Sequence, residues 1–336
     1  MLKLGMLGAG RIGRLHGDNV AKLVKGAKLE AIADPYLTPD MKQWANDLGV
    51  QKVYTDPEEI FKDSEIDAVL ICSSTDTHAE FLMKAAAAKK HIFCEKPIDL
   101  DTDRIKEAIK AADDAGVKLM VGFVRRFDRD HNKVGEIVAS GKMGKPHIVK
   151  ITSRDPEGPP LSYVKVSGGI FTDMMVHDFD MARFLVGSEV TEVTAMGEIC
   201  IDPDIAQYND VDTAIATLRF ANGAIGVIDV SRAARYGYDQ RVEVHCDKGS
   251  VMDENNLENN VKISTGESVT VAKPTWFFLE RYNEAFVKEV QDFVDAIENN
   301  TEVPVTGHDG LMSIYIAQAA NLSFKEKRTV ALSELM

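Results

Sequence analysis

The apolar residues of the first 120 or so positions form short strand-like runs that alternate with stretches of helical spacing. The strand-like runs occupy 2–7, 29–33, 67–72, 91–94 and 118–122, and the helical patterns occupy 12–24, 77–88 and 103–115. In the last of these, Ile105, Ala108, Ile109 and Ala112 recur at the interval of one helical face. Strands that alternate with helices predict an α/β domain, in which crossover helices connect the strands of a parallel sheet.

Beyond about residue 145 the pattern changes, because strands follow one another with few helices between them. Three hairpins are predicted: 211–220 with 224–231, 241–245 with 250–253, and 261–264 with 268–271. Asn222-Gly223 in the first hairpin is typical of a two-residue type I′ turn. Helical patterns cover 172–185, 282–299 and 307–324. We expect an α+β domain over 123–336 with a large, mostly antiparallel open-faced sheet, and the last helices packed back on a first domain of residues 1–122.

Composition narrows the classes of function. The 336 residues are 45% hydrophobic and 27% charged, which is typical of a soluble chain of about two domains. No apolar run approaches the roughly 20 residues of a membrane span, and the first residues enter a strand instead of a cleavable signal, so a cytoplasmic location is expected. The net charge of -14 argues against a nucleic-acid partner. The four cysteines lie far apart without a CxxC pair, which favours buried reduced thiols.

A GxGxxG motif lies between the first strand and the first helix. Such glycines permit a tight turn and let the backbone approach a pyrophosphate, which the N–H groups at the helix start attract. Asp34 lies 21 residues beyond Gly13, at the end of the next strand, where its carboxylate is expected to bind ribose hydroxyls. That carboxylate repels a 2′-phosphate, so NAD is favoured over NADP. The motif residues expected at the cofactor of this Rossmann domain are Gly8, Gly10, Arg11, Ile12 and Gly13.

Polar residues also follow the third core strand, at the carboxyl edge where open α/β sheets bind their ligands. The residues expected to line the cofactor cleft there are Ser73, Ser74, Thr75 and His78. The alternative for these hydroxyls is a helix cap at Thr75 or Thr77.

Two further patterns offer acid–base chemistry. Glu95-Lys96-Pro97 follows a strand, which brings Lys96 to the same edge of the sheet as the nucleotide motif. Asp173 and His177 are four residues apart in a helical pattern, so they are expected on one face of a helix. Taken alone, a lysine at a strand end is usually a solvated charge, and an Asp–His pair at this spacing is often an ordinary polar pair.

The GxGxxG start, the Glu-Lys-Pro tripeptide and the GG-x3-D-x3-HD segment at 168–178 together resemble the glucose-fructose oxidoreductase and inositol dehydrogenase (Gfo/Idh/MocA) family. The resemblance covers essentially the whole chain and both domains. It is closest to the inositol 2-dehydrogenase branch, on softer motifs at 122–128, 153–155, 231–241 and 278–282.

The resemblance implies an NAD-dependent dehydrogenase that oxidises a secondary hydroxyl of a cyclic polyol, with myo-inositol and its 2-keto product (scyllo-inosose) as the expected pair. It implies Lys96, Asp173 and His177 as the catalytic set. His177 would accept the hydroxyl proton, since histidine titrates near neutral pH. Lys96 would donate a charge-assisted hydrogen bond to the substrate oxygen. Asp173 would orient one of these two side chains and bind a neighbouring substrate hydroxyl.

Other polar residues are expected at the ligands or at a subunit interface. The candidates for the polyol are Arg126, Asp155, Tyr236 and Tyr282, and those for the cofactor are Glu95 and Arg125. The resemblance also implies a homotetramer, in which Tyr282 would reach across an interface.

There are three alternatives to the interpretation as an NAD-dependent polyol dehydrogenase. A metal site at Asp173, His177 and Asp178 is not expected, because the eight histidines show no HxH or HExxH spacing and the implied chemistry needs no metal. A non-catalytic NAD-binding sensor would not need the full catalytic set. Another substrate stays open, whether scyllo- or chiro-inositol, a hexose, or a uronate whose carboxylate an arginine would bind.

Overall fold

A computed structural model of the chain describes residues 1–336, and its contacts divide the chain into two compact units. The first unit consists of Met1–Phe127 and Glu284–Met312, and the second of Asp128–Asn283 and Ser313–Met336. The first unit therefore extends five residues past the predicted boundary at 122, and it includes a segment close to the end of the chain.

All six strands of the first unit belong to one parallel sheet. They are β1 (Leu2–Leu7), β2 (Ala27–Ala33), β3 (Lys52–Tyr54), β4 (Ala68–Ile71), β5 (His91–Glu95) and β6 (Leu119–Gly122). The helices up to Phe127 are α1 (Arg11–Lys22), α2 (Pro39–Asp47), α3 (Glu58–Lys62), α4 (Thr75–Ala87) and α5 (Thr102–Ala115), followed by a 3₁₀ helix (Val124–Phe127). The strand order β3-β2-β1-β4-β5-β6 is that of a Rossmann fold, so the predicted α/β domain is confirmed.

The sequence explains the bounds of these elements. β4 reads Ala-Val-Leu-Ile and is buried at all four positions, as expected for a central strand covered by helices on both faces. In α5, the buried residues Ile105, Ala108 and Ala112 form one stripe. The Asp101 carboxylate accepts a hydrogen bond from the Asp103 N–H at the start of α5, and the helix ends at Gly116, whose φ of 67° favours glycine.

The second unit is built around a larger sheet. Its strands before residue 283 are β7 (Pro146–Arg154), β8 (Val190–Glu198), β9 (Thr213–Phe220), β10 (Ile225–Ser231), β11 (Asp239–Cys246), β12 (Gly249–Asp253), β13 (Lys262–Ser264) and β14 (Val269–Val271). Its helices there are α6 (Arg129–Ala139), α7 (Leu161–Ser167), α8 (Ile170–Asp173), α9 (Val176–Val186) and α10 (Phe278–Arg281), with a 3₁₀ helix at Pro203–Tyr208. The rest of the chain forms α11 (Asn283–Glu298), α12 (Gly307–Glu326), β15 (Val330–Ala331) and a 3₁₀ helix (Leu332–Glu334).

Seven strands form this sheet in the order β12-β11-β7-β10-β9-β8-β15, and β13 pairs with β14 separately. Every neighbouring pair in the seven-stranded sheet is antiparallel except β7 with β10, which is parallel. Along β9 the residues alternate between buried and accessible positions, because one face of the sheet carries the core. The predicted sheet with one open face is therefore present.

Two local predictions are wrong. The β9–β10 turn is a three-residue loop, since the Phe220 N–H donates to the Ala224 carbonyl and only Gly223 has a positive φ, 91°. A type I′ turn would need positive φ at Asn222 as well. The helix predicted over 172–185 is in fact two helices, because Met174 and Met175 belong to neither α8 nor α9.

The cysteines are all free, and three of them, Cys72, Cys94 and Cys246, are buried. Burial raises the pKa of each of these three thiols. Cys200 is exposed, so the prediction of buried thiols is wrong for this residue. The helices of the structure include none with both the length and the apolar composition of a membrane span.

Candidate active site

The glycine loop between β1 and α1 has the geometry that its sequence predicts. Gly8 has a φ of 98°, and a Cβ there would lie 2.7 Å from the Cys72 carbonyl oxygen. A Cβ on Gly13 would lie 2.1 Å from the Gly8 carbonyl oxygen, so the helix packs on the loop only without a side chain. A Cβ on Gly10 meets nothing within 4 Å, which leaves open space directly before Arg11, where α1 begins.

Asp34, which directly follows β2, is hydrogen-bonded to this glycine loop. One carboxylate oxygen, Oδ2, accepts a hydrogen bond from the Ala9 N–H at 2.7 Å, and Oδ1 accepts one from the Tyr36 N–H at 2.8 Å. The side chain is buried at the end of β2, yet each oxygen keeps a lone pair for a ribose hydroxyl. The open space at Gly10, the N–H groups at the start of α1 and the Asp34 carboxylate fit a dinucleotide, with phosphates at the helix start.

Replacing Asp34 by serine is expected to relax the choice of dinucleotide. The change removes a negative charge that would face a 2′-phosphate, so the ratio of kcat/KM for NADP to that for NAD should rise about tenfold, or about 1.4 kcal/mol. Steady-state kinetics with both cofactors measures this ratio, and Asp47→Ser, an exposed change on α2, is the control. An unchanged ratio in the Asp34 variant would show that selectivity is set by other residues.

The polar residues after β4 differ in their accessibility. Ser74 is exposed and directly precedes α4, so neither Thr75 nor Thr77 is the N-cap residue. Ser73 is half-buried, and its hydroxyl is hydrogen-bonded to that of Thr77 at 2.7 Å. Thus Ser73, Ser74 and Thr75 remain candidates for the cofactor.

His78 does not support a direct contact with the cofactor. It is 2% exposed, and its ring nitrogens lie 2.8 Å from the Pro97 carbonyl oxygen and 3.0 Å from the Ser73 carbonyl oxygen. Both nitrogens are therefore occupied by the main chain, and the ring connects the segment after β4 to the segment after β5.

Lys96 directly follows β5 and is half-buried. The preceding residue, Glu95, accepts a hydrogen bond at Oε1 from His16 Nε2, 2.8 Å away. Arg125 and Arg126 lie in the 3₁₀ helix after β6 and are buried. Arg126 forms an ion pair with Asp309 at 2.9 Å, so one of its guanidinium nitrogens already has a partner within the first unit.

In the second unit, Asp173 is held by two side chains. The Tyr163 hydroxyl donates to Asp173 Oδ1 at 2.8 Å, and Arg232 Nη2 lies 3.3 Å from Oδ2. Asp173 is the last residue of α8, whereas His177 lies in the first turn of α9. Met174 and Met175 between them keep right-handed helical angles, so the interval of about one helical turn is retained although no continuous helix connects the two residues.

Asp155 lies beside the same segment as Arg232. Its N–H donates to the Ser231 carbonyl oxygen at 2.9 Å, and its own carbonyl oxygen accepts from the Ala234 N–H at 2.6 Å. Asp155 and Asp173 are thus both tied to residues 231–234, the first by its main chain and the second through the Arg232 side chain. This arrangement places two half-buried carboxylates at the end of β10, a suitable basis for binding hydroxyl groups.

Loss of the Tyr163 hydroxyl is expected to weaken the function of Asp173. Tyr163→Phe removes one of its donors while keeping the ring, so kcat/KM should fall about fivefold, or about 1 kcal/mol. Steady-state kinetics checks this value, with Tyr208→Phe in the second unit as the matched control. An unaltered kcat/KM in Tyr163→Phe would mean that this hydrogen bond does not support catalysis.

The two tyrosines predicted at the substrate differ in accessibility, and only the side chain of Tyr236 is open to a ligand. Tyr236 is 44% exposed, and its hydroxyl donates to Asp239 Oδ2 at 2.5 Å. Tyr282 is 1% exposed and packs against the rings of His131 and Tyr238. Because its side chain is in the core of the second unit, the expectation that Tyr282 contacts the substrate or another subunit is not supported.

The structure adds residues that the sequence patterns did not single out. Tyr163 and Arg232 bind Asp173, and His16 binds Glu95. The only local signal was for His16, which lies three residues after Gly13 on the first helix. The partners of Asp173 lie 10 and 59 residues away along the chain and follow no spacing rule.

Two family models match the chain. The one described as an oxidoreductase family with an NAD-binding Rossmann fold matches residues 2–123. The one described as the GFO/IDH/MocA C-terminal domain matches residues 131–252.

Individual relatives match over nearly the full length. Myo-inositol 2-dehydrogenase of Thermotoga maritima is 46% identical over 338 residues and covers 100% of both chains. Inositol 2-dehydrogenase of Rhizobium meliloti is 44% identical over 335 residues, with 99% of each chain covered. The crystal structure of scyllo-inositol dehydrogenase from Lactobacillus casei with bound NAD(H) and scyllo-inositol has a TM-score of 0.92 at 30% identity and covers 99% of each chain.

Proposed function

Because the chain belongs to the GFO/IDH/MocA family of NAD-binding oxidoreductases, we propose that it oxidises a secondary hydroxyl of myo-inositol to a ketone, with NAD as the hydride acceptor. The observation that carries this proposal is the 46% identity over the entire chain to a protein named myo-inositol 2-dehydrogenase. The same sequence retains Lys96, Asp173 and His177, the catalytic set that the family resemblance implies.

The proposed reaction removes a hydride and a proton from one CH–OH group. Bound NAD supplies the hydride acceptor. The His177 ring takes the hydroxyl proton, and the Lys96 ammonium donates a hydrogen bond to the oxygen as negative charge develops there. The C–H and O–H bonds break, the C=O bond forms, and the proton remains on His177 until solvent removes it. Asp173, held by Tyr163 and Arg232, binds a neighbouring hydroxyl.

Several fixed polar groups suit a substrate that carries many hydroxyls. The carboxylates of Asp155 and Asp173 accept hydrogen bonds, and the guanidinium of Arg126 donates them. A site that binds hydroxyls in this way rejects analogues that lack them, since its buried polar groups would then lose their partners.

A second candidate substrate is scyllo-inositol, which the similar Lactobacillus casei structure contains together with NAD(H). NADH formation with myo-, scyllo- and chiro-inositol, glucose, xylose and galactose, each with NAD and NADP, distinguishes these substrates. We expect the highest kcat/KM with myo-inositol and NAD. A higher kcat/KM with scyllo-inositol would reassign the substrate. No turnover of any polyol, despite NADH binding, would favour the hypothesis of a non-catalytic NAD-binding sensor.

We also propose that the accessible face of the seven-stranded sheet is covered by a second copy of the chain, within a homotetramer. This face carries exposed apolar side chains on four strands: Met196, Ile215, Ile225 and Met252. Light scattering after size exclusion should give a multiple of the chain mass, and Ile215→Asp should lower it, with Leu23→Asp in the first unit as the control. A monomeric wild-type protein would contradict this assembly.

We also propose that the protein is located in the cytoplasm. Four free cysteines are typical of a reducing compartment, and cell fractionation tests the location directly.

A further inference from the structure

A mostly buried cluster of three titratable side chains in the first unit includes the residue that precedes Lys96. It joins His16 on α1, Glu95 at the end of β5 and Glu289 on α11. His16 and Glu289 are both 0% exposed. His16 Nε2 lies 2.8 Å from Glu95 Oε1 and 3.8 Å from Glu289 Oε1, so it is hydrogen-bonded to the first carboxylate only.

Aromatic rings fix the orientation of His16. Its ring packs edge-on against Phe93 at 5.4 Å and Phe286 at 5.7 Å between centroids. The other ring nitrogen, Nδ1, is buried without a hydrogen-bond partner. A proton on Nδ1 would have no acceptor. The ring proton therefore belongs on Nε2, which donates it in a hydrogen bond to the Glu95 carboxylate.

Glu289 contributes a neutral acid to this cluster. Neither of its carboxyl oxygens has a hydrogen-bond partner, and burial raises the pKa of this group well above its ordinary value. Cys72 and Cys94 are also buried nearby, and the same effect keeps their thiols protonated. Of the two carboxyl groups, only that of Glu95 is hydrogen-bonded to His16.

The Glu95 side chain is restrained from a second direction as well. A Cβ on Gly122 of β6 would lie 3.2 Å from the Glu95 carboxyl carbon, so the carboxyl packs directly on the main chain of the neighbouring strand. Glu95 directly precedes Lys96 in the chain, so a shift of the main chain at Glu95 also moves the Lys96 backbone. The helix that begins at the glycine loop is thus coupled, through a single hydrogen bond, to the residue before the lysine.

We propose that His16 is a positioning residue for Lys96: its Nε2–H holds the carboxylate of Glu95, the residue that directly precedes Lys96 in the chain. This inference rests on the proposed function, in which Lys96 contacts the substrate. A displacement of a catalytic group by about 1 Å can lower a rate by about 10²-fold, so the effect should be large on kcat.

The test compares His16→Leu, His16→Gln and Glu289→Gln in the full-length protein. His16→Leu keeps an apolar volume but removes the donor, and it should lower kcat with myo-inositol by about 10- to 100-fold while the NADH Kd changes less than about threefold. His16→Gln restores an N–H donor and should recover most of kcat. Glu289→Gln, neutral like the protonated acid, should stay within about threefold of wild type. His91→Leu, at the opposite end of β5, is the matched control with unchanged kcat.

A second readout does not need the substrate. The rate at which acetic anhydride labels Lys96, followed by mass spectrometry relative to exposed Lys110, should change at least about twofold in His16→Leu and not in His91→Leu. If His16→Leu does not fold, His16→Asn, whose shorter side chain cannot reach Glu95, replaces it with the same expected results.

The outcomes separate this inference from the proposed function. Altered Lys96 labelling in a protein that oxidises no polyol would support the positioning role and overturn the function. Normal turnover of inositol with unchanged kcat and Lys96 labelling in His16→Leu would overturn the positioning role. Stoichiometric zinc or manganese in the purified wild type, lost in His16→Leu, would also overturn it, because the three side chains would then be metal ligands.

Discussion

Replacing His177 with alanine is expected to lower kcat for inositol oxidation by about 10²- to 10⁴-fold, with NADH binding nearly unchanged. The change removes the group that accepts the hydroxyl proton. His177 lies in the first turn of the 11-residue helix α9, four residues after Asp173. Single-turnover kinetics measures the chemical step, and fluorescence titration measures NADH binding.

The control for His177 is another histidine of the second unit. His147 is exposed and bound to Asp247 at 2.7 Å, so His147→Ala should leave kcat unchanged. Added imidazole should restore part of the activity of His177→Ala by filling the space of the missing ring. Full activity of the alanine variant without imidazole would exclude His177 as the base.

Replacing Lys96 with methionine is expected to lower kcat by about 10²- to 10³-fold. Methionine keeps the length of the side chain but cannot donate a hydrogen bond or supply positive charge to the developing alkoxide. The loss should appear in kcat more than in KM, since the interaction strengthens as charge develops. A substrate deuterated at the oxidised carbon should show a larger isotope effect in this variant, as hydride transfer becomes slower.

Lys110→Met provides the matched control for this lysine, because Lys110 is exposed on α5 and pairs with Asp114 on its own helix. It should have wild-type kinetics. A kcat within about threefold of wild type in Lys96→Met would remove Lys96 from the mechanism, since one hydrogen bond to a charged group is worth more than that.

Much of the first unit could be predicted because its signals are local. β1 was predicted at its observed bounds, since a mostly apolar run ends at a glycine motif. β3 was missed, because Lys52–Tyr54 is only three residues long and none of them is fully buried. The break between α8 and α9 was also missed, since Met174 and Met175 suit a helix as well as a turn between two helices.

The residues of the candidate site also differ in whether their positions could be predicted from the sequence. The glycine loop, Asp34 and Lys96 follow strand ends, and their positions in a Rossmann fold can be derived from sequence order. Partners that come from distant segments could not be derived. Glu289 is 273 residues from His16 in the chain, and no periodicity connects them.

Burial of individual polar residues was the least predictable feature. Tyr282 and His78 were chosen for their polar atoms, but each is nearly inaccessible. The Tyr282 ring is enclosed by aromatic neighbours from other elements, and His78 is bound by two carbonyl groups. Such environments depend on tertiary packing, which the type and spacing of residues do not specify.

The central claim is that this chain transfers a hydride from inositol to NAD, and an isotope transfer measures that step directly. The purified protein would be incubated with NAD and myo-inositol deuterated at carbon 2, and the reduced cofactor and the ketone analysed by NMR and mass spectrometry. We predict one deuterium in the reduced cofactor and an equal amount of 2-keto-myo-inositol. Reduced cofactor without deuterium, or no ketone although NADH binds to the protein, would contradict the account.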